Sequence, residues 1–210
     1  MKILLWPFLV AALISFIATP VVRKGATRFG FMDIPKDERR VHKKAIPLSG
    51  GLAIFLAVLA GVLLFLPLER EKIAYLVGGA VIVFTGLYDD KFAMSAKAKF
   101  AMEIVAAAIL IAGGVKITFF TNPFYGSNLL INLDWLAVPI TIFWVVGITN
   151  TINLIDGLDG LACGISAIAS ISLMFVAHRL QHDEMAILAA ILAGGCLGFL
   201  PFNFNPASIF

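Results

Sequence analysis

The sequence predicts an all-α polytopic membrane protein with about seven transmembrane helices and its N-terminus outside. Three observations predict it. Hydrophobic residues fill 60% of the 210 positions, where an ordinary soluble domain carries about half, and mean hydropathy is +0.98. Apolar runs near the ~20 residues that a bilayer requires recur along the chain. The lysines and arginines gather in alternate connections between those runs.

The runs cover residues 3–22, 50–66, 73–88, 100–115, 135–149, 161–177 and 185–200. The first follows Lys2 and looks like a signal peptide, but it is long for a cleaved segment and further spans follow, so it reads as the first crossing. The third and fifth are short, which suits ends tucked inside protein. The whole chain, 1–210, reads as one integral membrane domain without low-complexity tracts, solenoid repeats or soluble linkers. Cys163 and Cys196 both sit in apolar runs, which argues against a disulfide framework, and no metal spacing is present.

Charge sets the orientation. The first odd connection, 23–49, holds eight Lys and Arg residues, and 89–99 adds Lys91, Lys97 and Lys99, making eleven. The N-terminus and the even connections together hold five: Lys2, Arg70, Lys72, Lys116 and Arg179. Basic connections face the cytoplasm, so the N-terminus faces out. Asp89-Asp90, the polar string at 150–160 and the tail from 201 then share the cytoplasmic side. Such polarity suits an enzyme that meets a soluble, charged substrate there.

Asp89-Asp90 ends the third span. Negative charge at a helix C-terminus opposes the macrodipole, and adjacent carboxylates repel, which favours a general base or a metal-phosphate site over a plain solvated end. Lys91, Lys97 and Lys99 follow closely enough to hold phosphate oxygens, although lysines there also serve as membrane-side anchors.

The string Asn150-Thr151-Ile152-Asn153-Leu154-Ile155-Asp156-Gly157-Leu158-Asp159-Gly160-Leu161 places polar groups three apart at 150, 153, 156 and 159. On an α-helix that spacing steps back by ~60° each time; in a 3₁₀ turn the groups would align. Carboxamides and carboxylates together suit a nucleobase edge, a sugar or hydrated Mg²⁺. A capping loop would account for one Asp and one Gly, not for four polar residues in register.

The loop through Lys36, Arg39, Arg40, Lys43 and Lys44 has the charge of a segment that binds anionic lipid. Its ending, Pro47-Leu48-Ser49-Gly50-Gly51, is more particular: it allows a tight turn into the second span with Ser49 as N-cap. Glu103 is an acid inside the fourth span and hence a functional candidate; pairing with Lys99 one turn earlier is the simpler expectation. His178 and His182 read as outer surface residues.

Four segments together resemble the polyprenyl-phosphate N-acetylhexosamine-1-phosphate transferases, glycosyltransferase family 4. They are Arg39-Arg40-Val41-His42-Lys43-Lys44-Ala45-Ile46-Pro47-Leu48-Ser49-Gly50-Gly51, Gly86-Leu87-Tyr88-Asp89-Asp90, the string at 150–161, and Phe202-Asn203-Phe204-Asn205-Pro206-Ala207. They stand in the family's order and span nearly the whole chain. The Val-His-Lys-Lys form looks most like the bacterial branch that uses UDP-N-acetylglucosamine and undecaprenyl phosphate. The peptidoglycan branch usually shows Gly-Thr-Pro-Thr-Met-Gly-Gly here.

The resemblance implies Mg²⁺-dependent transfer (Mn²⁺ could substitute) of a sugar 1-phosphate to a lipid phosphate, with release of UMP, at the cytoplasmic face of the inner (plasma) membrane. It implies Asp89 and Asp90 as catalytic groups, Lys99 and Lys97 on the pyrophosphate, Asn153 on the metal and Asp159 on the uracil. Asp156 and Asn203 would shape the pocket, with Lys43, Lys44 and Asn150 as further substrate contacts. A homodimer fits the resemblance; a nucleic-acid partner does not. The family continues from this point into a Met-Gly-Asp-x-Gly-Ser motif and a His-rich loop. The expectation is therefore a C-terminally truncated piece of a ten- to eleven-helix fold.

Two other classes compete. A transporter would place its acids near the midplane, whereas nearly all acids here lie at span ends. A truncated, non-catalytic paralogue would explain the ending but not the four retained motifs. Within the enzyme class, phospho-N-acetylmuramoyl-pentapeptide transfer is the alternative.

Overall fold

A computed structural model of the chain describes residues 2–33, 45–122 and 130–210. Among these residues seven α-helices follow in order: α1 (Lys2–Phe29), α2 (Gly51–Phe65), α3 (Arg70–Phe92), α4 (Ala96–Ala112), α5 (Ala137–Ile155), α6 (Leu161–Arg179) and α7 (Asp183–Asn203). Each overlays one predicted run, and the molecule is an all-α polytopic membrane protein. By length and composition α1, α3, α5, α6 and α7 can each cross a membrane; α2 and α4, with 15 and 17 residues, are shorter. The expected short pair, the third and fifth, is thus corrected. Hydropathy falls where Arg70, Asp89 and Asn150 enter, but the i→i−4 ladder continues through polar residues that find partners.

Two short antiparallel hairpins were not foreseen. β1 (Met32–Asp33) pairs with β2 (Ile46–Pro47), and β3 (Phe119–Thr121) with β4 (Leu130–Asn132). Strands of two or three residues lie below what alternation can reveal.

The core forms around α7, which packs on α1, α2 and α6. Its buried side is Ala186, Ile187, Ala190, Ile191, Ala193, Gly194, Cys196, Gly198 and Phe199. A Cβ on Gly194 would fall on the Phe8 carbonyl, and one on Gly198 on that of Ala12. The Gly194-x-x-x-Gly198 spacing therefore lets the α1 and α7 backbones touch, as small residues do between helices in lipid. Elsewhere large apolar side chains face outward, among them Trp6, Phe84, Phe143 and Ile168. That outer surface suits hydrocarbon, not water.

The two ends of the bundle differ. At the end of the even connections, Lys72 Nζ bridges Glu69 and Glu184, at 2.7 and 2.5 Å, tying the start of α3 to the start of α7. Thr141 Oγ1 there accepts from Ile117 N at 2.9 Å. The odd connections and the tail meet at the other end, where the site lies.

Candidate active site

The last turn of α3 carries Asp89 and Asp90. Asp89 Oδ1 accepts from Met94 N at 2.8 Å, and Oδ2 meets Lys99 Nζ at 3.2 Å. Those bonds offset the unfavourable position of a carboxylate at a helix C-terminus. Ala93 turns left-handed (φ 53°) to close α3, and Ser95 caps α4 by accepting from Ala98 N at 3.3 Å. This tight α3–α4 corner swings Lys99 back onto Asp89. Lys99 Nζ also donates to Asn153 Oδ1 on α5 at 3.3 Å. Three helices are thereby joined through one ammonium.

Asp90 takes a different environment. Its carboxylate lines a cavity of about 440 Å³, shared with Lys99, Glu103, Asn153 and Asp156. The backbone N–H of Ser49 is directed at the Asp90 carboxylate. Ser49 adopts φ 81°, a left-handed conformation that costs a non-glycine residue roughly 1–3 kcal/mol and persists where the surroundings enforce it. Its hydroxyl finds no partner among the described residues, so the expected N-cap role is corrected. Gly50 occupies the N-cap position instead. Gly50 N donates to Phe210 O at 2.7 Å, and a Cβ there would strike the Phe199 ring.

The 150–159 string divides between helix and loop. α5 continues through Ile155, so Asn150 and Asn153 are helical, and Asp156 is the C-cap residue. Asp156 lines the cavity; partial burial pushes its carboxyl above the ordinary carboxylate range. Asp159 points elsewhere. Its Oδ2 accepts from Ala207 N at 2.9 Å and Asn205 Nδ2 at 3.2 Å. Gly160, left-handed at φ 76°, starts α6. Asn203, 7% exposed, donates to Ile209 O at 3.1 Å. Both Asp159 and Asn203 hold the tail, which then places Phe210 on the cavity rim with Phe210 N donating to Pro47 O at 2.8 Å.

The structure thus gathers described parts of all four sequence motifs at one end. Asp90, Lys99, Asn153 and Asp156 line the cavity; Asp89 and Asn150 support it from behind. Lys97 is exposed, and Lys43 and Lys44 lie outside the described residues. The pairing of Glu103 is corrected: its partner is Asn150 Nδ2, not Lys99, because Lys99 is drawn to Asp89. Sequence reasoning missed the Ser49 backbone and Phe210 as parts of the wall. The Pro-x-Ser-Gly-Gly turn was the available signal for the first; the second carried none.

Comparison with known proteins decides the family. The model of Glycosyl transferase family 4 matches residues 72–210. The chain belongs to glycosyl transferase family 4. Over 97% of its length it is 42% identical to the Bacillus subtilis (strain 168) protein named "Probable undecaprenyl-phosphate N-acetylglucosaminyl 1-phosphate transferase". It is 37% identical over 96% of its length to a decaprenyl-phosphate N-acetylglucosaminephosphotransferase of Mycobacterium tuberculosis. A phospho-N-acetylmuramoyl-pentapeptide-transferase of Clostridioides difficile is 33% identical over 97% of the chain. The chain spans about half the length of the first two relatives, 56% and 54%. For this family-4 member the resemblance read from four motifs is correct at the family level.

Proposed function

We propose that the protein of which this chain is part transfers N-acetylglucosamine 1-phosphate from UDP-N-acetylglucosamine to undecaprenyl phosphate and releases UMP. This would begin a lipid-linked envelope polysaccharide at the cytoplasmic face of the plasma membrane. The observation that carries the reading is the convergence of Asp90, Lys99, Asn153 and Asp156 on one cavity at the basic end of the bundle. Its position at a membrane surface suits one lipid and one soluble substrate.

In the reaction an oxygen of the lipid phosphate attacks the phosphorus that bears the sugar. A new P–O bond forms, the bond to UMP breaks, and UMP leaves with the electron pair. Asp90 takes the proton of the lipid phosphate or holds its oxygen in line. Lys99, set by Asp89, draws the diphosphate to the cavity and offsets charge as it moves onto UMP. Asp89 therefore works as the orienter of Lys99, which separates two neighbouring carboxylates by role.

The donor set also fits a hard divalent cation. The cavity wall offers the carboxylates of Asp90 and Asp156 and the Asn153 carboxamide oxygen, and Mg²⁺ is commonly held by one or two carboxylates together with substrate phosphates. Asp156 and Asn153 would hold the ion. When bound it would neutralise diphosphate oxygens as a Lewis acid.

The test is UMP release in detergent from the protein expressed from its complete reading frame. UDP-N-acetylglucosamine and UDP-N-acetylmuramoyl-pentapeptide are each supplied with undecaprenyl phosphate and Mg²⁺. Turnover of the first donor supports the reading. Turnover of the second alone transfers the assignment to the peptidoglycan branch. Turnover of neither by folded protein removes the enzyme reading.

A further inference from the structure

Among the described residues Lys99 is the one basic side chain in the cavity wall, which it shares with three acids, Asp90, Glu103 and Asp156. Its ammonium is divided between two oxygens, Asp89 Oδ2 at 3.2 Å and Asn153 Oδ1 at 3.3 Å. An ammonium only donates, so the Asn153 carboxamide presents its oxygen to Lys99. Charge-assisted N–H···O bonds typically measure about 2.7–2.9 Å. At 3.2 and 3.3 Å Lys99 is shared between its partners and fixed on neither. Lys72, at the opposite end of the bundle, shows the contrast: it grips Glu69 and Glu184 at 2.7 and 2.5 Å.

The Asn153 oxygen that Lys99 holds is also the one assigned above to the divalent cation. A hard cation takes carboxamide and carboxylate oxygens directly, and two cations on one oxygen repel. We propose that Lys99 keeps the cation's place in the unliganded site: its ammonium occupies Asn153 Oδ1, so that the ion is admitted only together with the diphosphate of the sugar nucleotide. The inference rests on the transferase reading and gives that site an order of binding. The diphosphate oxygens offer Lys99 new acceptors, and its flexible four-carbon stem lets the ammonium swing onto them. Asp89, behind the wall, keeps Lys99 within reach throughout. Asn153 Oδ1 is then open, and metal and nucleotide tighten each other's binding. A role confined to joining α3, α4 and α5 would be served better by short bonds of the Lys72 kind.

The experiment uses full-length protein in detergent and Mn²⁺ as an EPR-visible probe, titrated with and without UDP-N-acetylglucosamine and in the absence of lipid phosphate. Wild type should bind Mn²⁺ weakly alone and at least about tenfold more tightly with the nucleotide present. Lys99→Met should bind Mn²⁺ alone at least about tenfold more tightly than wild type, because the repulsion is removed, and the nucleotide should then add less. Lys99→Arg keeps the cation and should match wild type. Lys91→Met is the control for charge at large. Lys91 follows Asp90 in the chain but rests over the Phe31 and Phe92 rings, 5.0 and 5.5 Å from their centroids. Its loss should leave Mn²⁺ affinity within about twofold, as expected for a solvated, screened charge. Melting temperatures establish that each variant is folded, and Lys99→Gln stands in for Lys99→Met if the latter does not fold.

Lys99→Met that binds Mn²⁺ alone no better than wild type would overturn the proposal, and a lowered melting temperature would then mark Lys99 as a helix tie only. Equal tightening by Lys91→Met sinks it too, since general charge would govern the site. In a protein that releases UMP, Mn²⁺ bound as tightly alone as with nucleotide is the third result against it. If wild type releases no UMP, the transferase reading falls. The comparison of Lys99→Met with wild type, in Mn²⁺ alone, then decides by itself whether Lys99 holds a cation's place.

Discussion

Asp89 and Asp90 are neighbours in the chain with unlike surroundings. Adjacency alone predicts mutual repulsion; only packing gives Lys99 to Asp89 and the cavity to Asp90. Two outcomes follow at this scale. Asp90→Asn should lower kcat by ~10²–10⁴, the usual contribution of a general base, without shifting the melting temperature downward. Asp89→Asn should act instead on KM for the sugar nucleotide, because it frees Lys99 to drift toward Asn153. Steady-state kinetics on the two variants distinguishes the roles, and matching kcat losses would reject the division. Asp159 differs again: its carboxylate holds Asn205 and Ala207. The residue types at 89, 90, 99, 150, 153, 156 and 159 were legible in the sequence as polar groups beside hydrocarbon. Which of them face the cavity was not, because chain neighbours and residues three apart diverge once helices end at different places.

The helices were legible in number and order, less so at their ends, and the two short hairpins were not legible at all. Hydropathy reports what lipid requires of side chains, whereas helix ends follow from backbone hydrogen bonding and caps. So α1 continues past the apolar run through Arg23, Lys24 and Arg28 to Phe29, and α4 starts at Ala96, directly after its Ser95 cap and four residues before the predicted run. Replacing Ser95 by Ala should destabilise the protein by about 1 kcal/mol, the usual worth of an N-cap, visible as a lower melting temperature in detergent. The α1–α7 contact is the more sensitive element. At Gly198 an added side chain meets the backbone of Ala12, and backbone cannot rotate away. Gly198→Val should destabilise by about 1–3 kcal/mol or more, whereas Gly164→Ala, with open space around it, should be tolerated. Thermal melts of the two variants check the contrast, and equal shifts would show that α1 and α7 do not meet as described.

At the scale of the whole molecule, the chain is polarised. One end holds the odd connections, the tail and the cavity; the other holds the Lys72 bridge to Glu69 and Glu184. On the reading proposed above, the distribution of Lys and Arg puts the first end in the cytoplasm. Cysteines introduced at Lys97 and at Gln181, both exposed, check this with a membrane-impermeant thiol reagent. Position 181 should label in intact cells and position 97 only after permeabilisation. The reverse pattern would invert the orientation and move the cavity to the face without nucleotide sugars. Lys72→Met should lower the melting temperature and leave the KM values unchanged, because that bridge lies at the end away from the cavity.

Composition, run length and charge asymmetry by themselves determined an all-α class of membrane protein, the seven described helices in order, its charge polarity and, through four motifs, its family. These are properties of local chemistry against a bilayer, and the bilayer acts on every segment independently. Tertiary structure alone decided that Asp89 holds Lys99 while Asp90 faces the cavity, that Glu103 pairs with Asn150, and that Phe210 returns to Pro47 and Gly50. Those outcomes depend on where separate helices stop and which backbones can touch, and such contacts between distant segments are settled only when the helices pack.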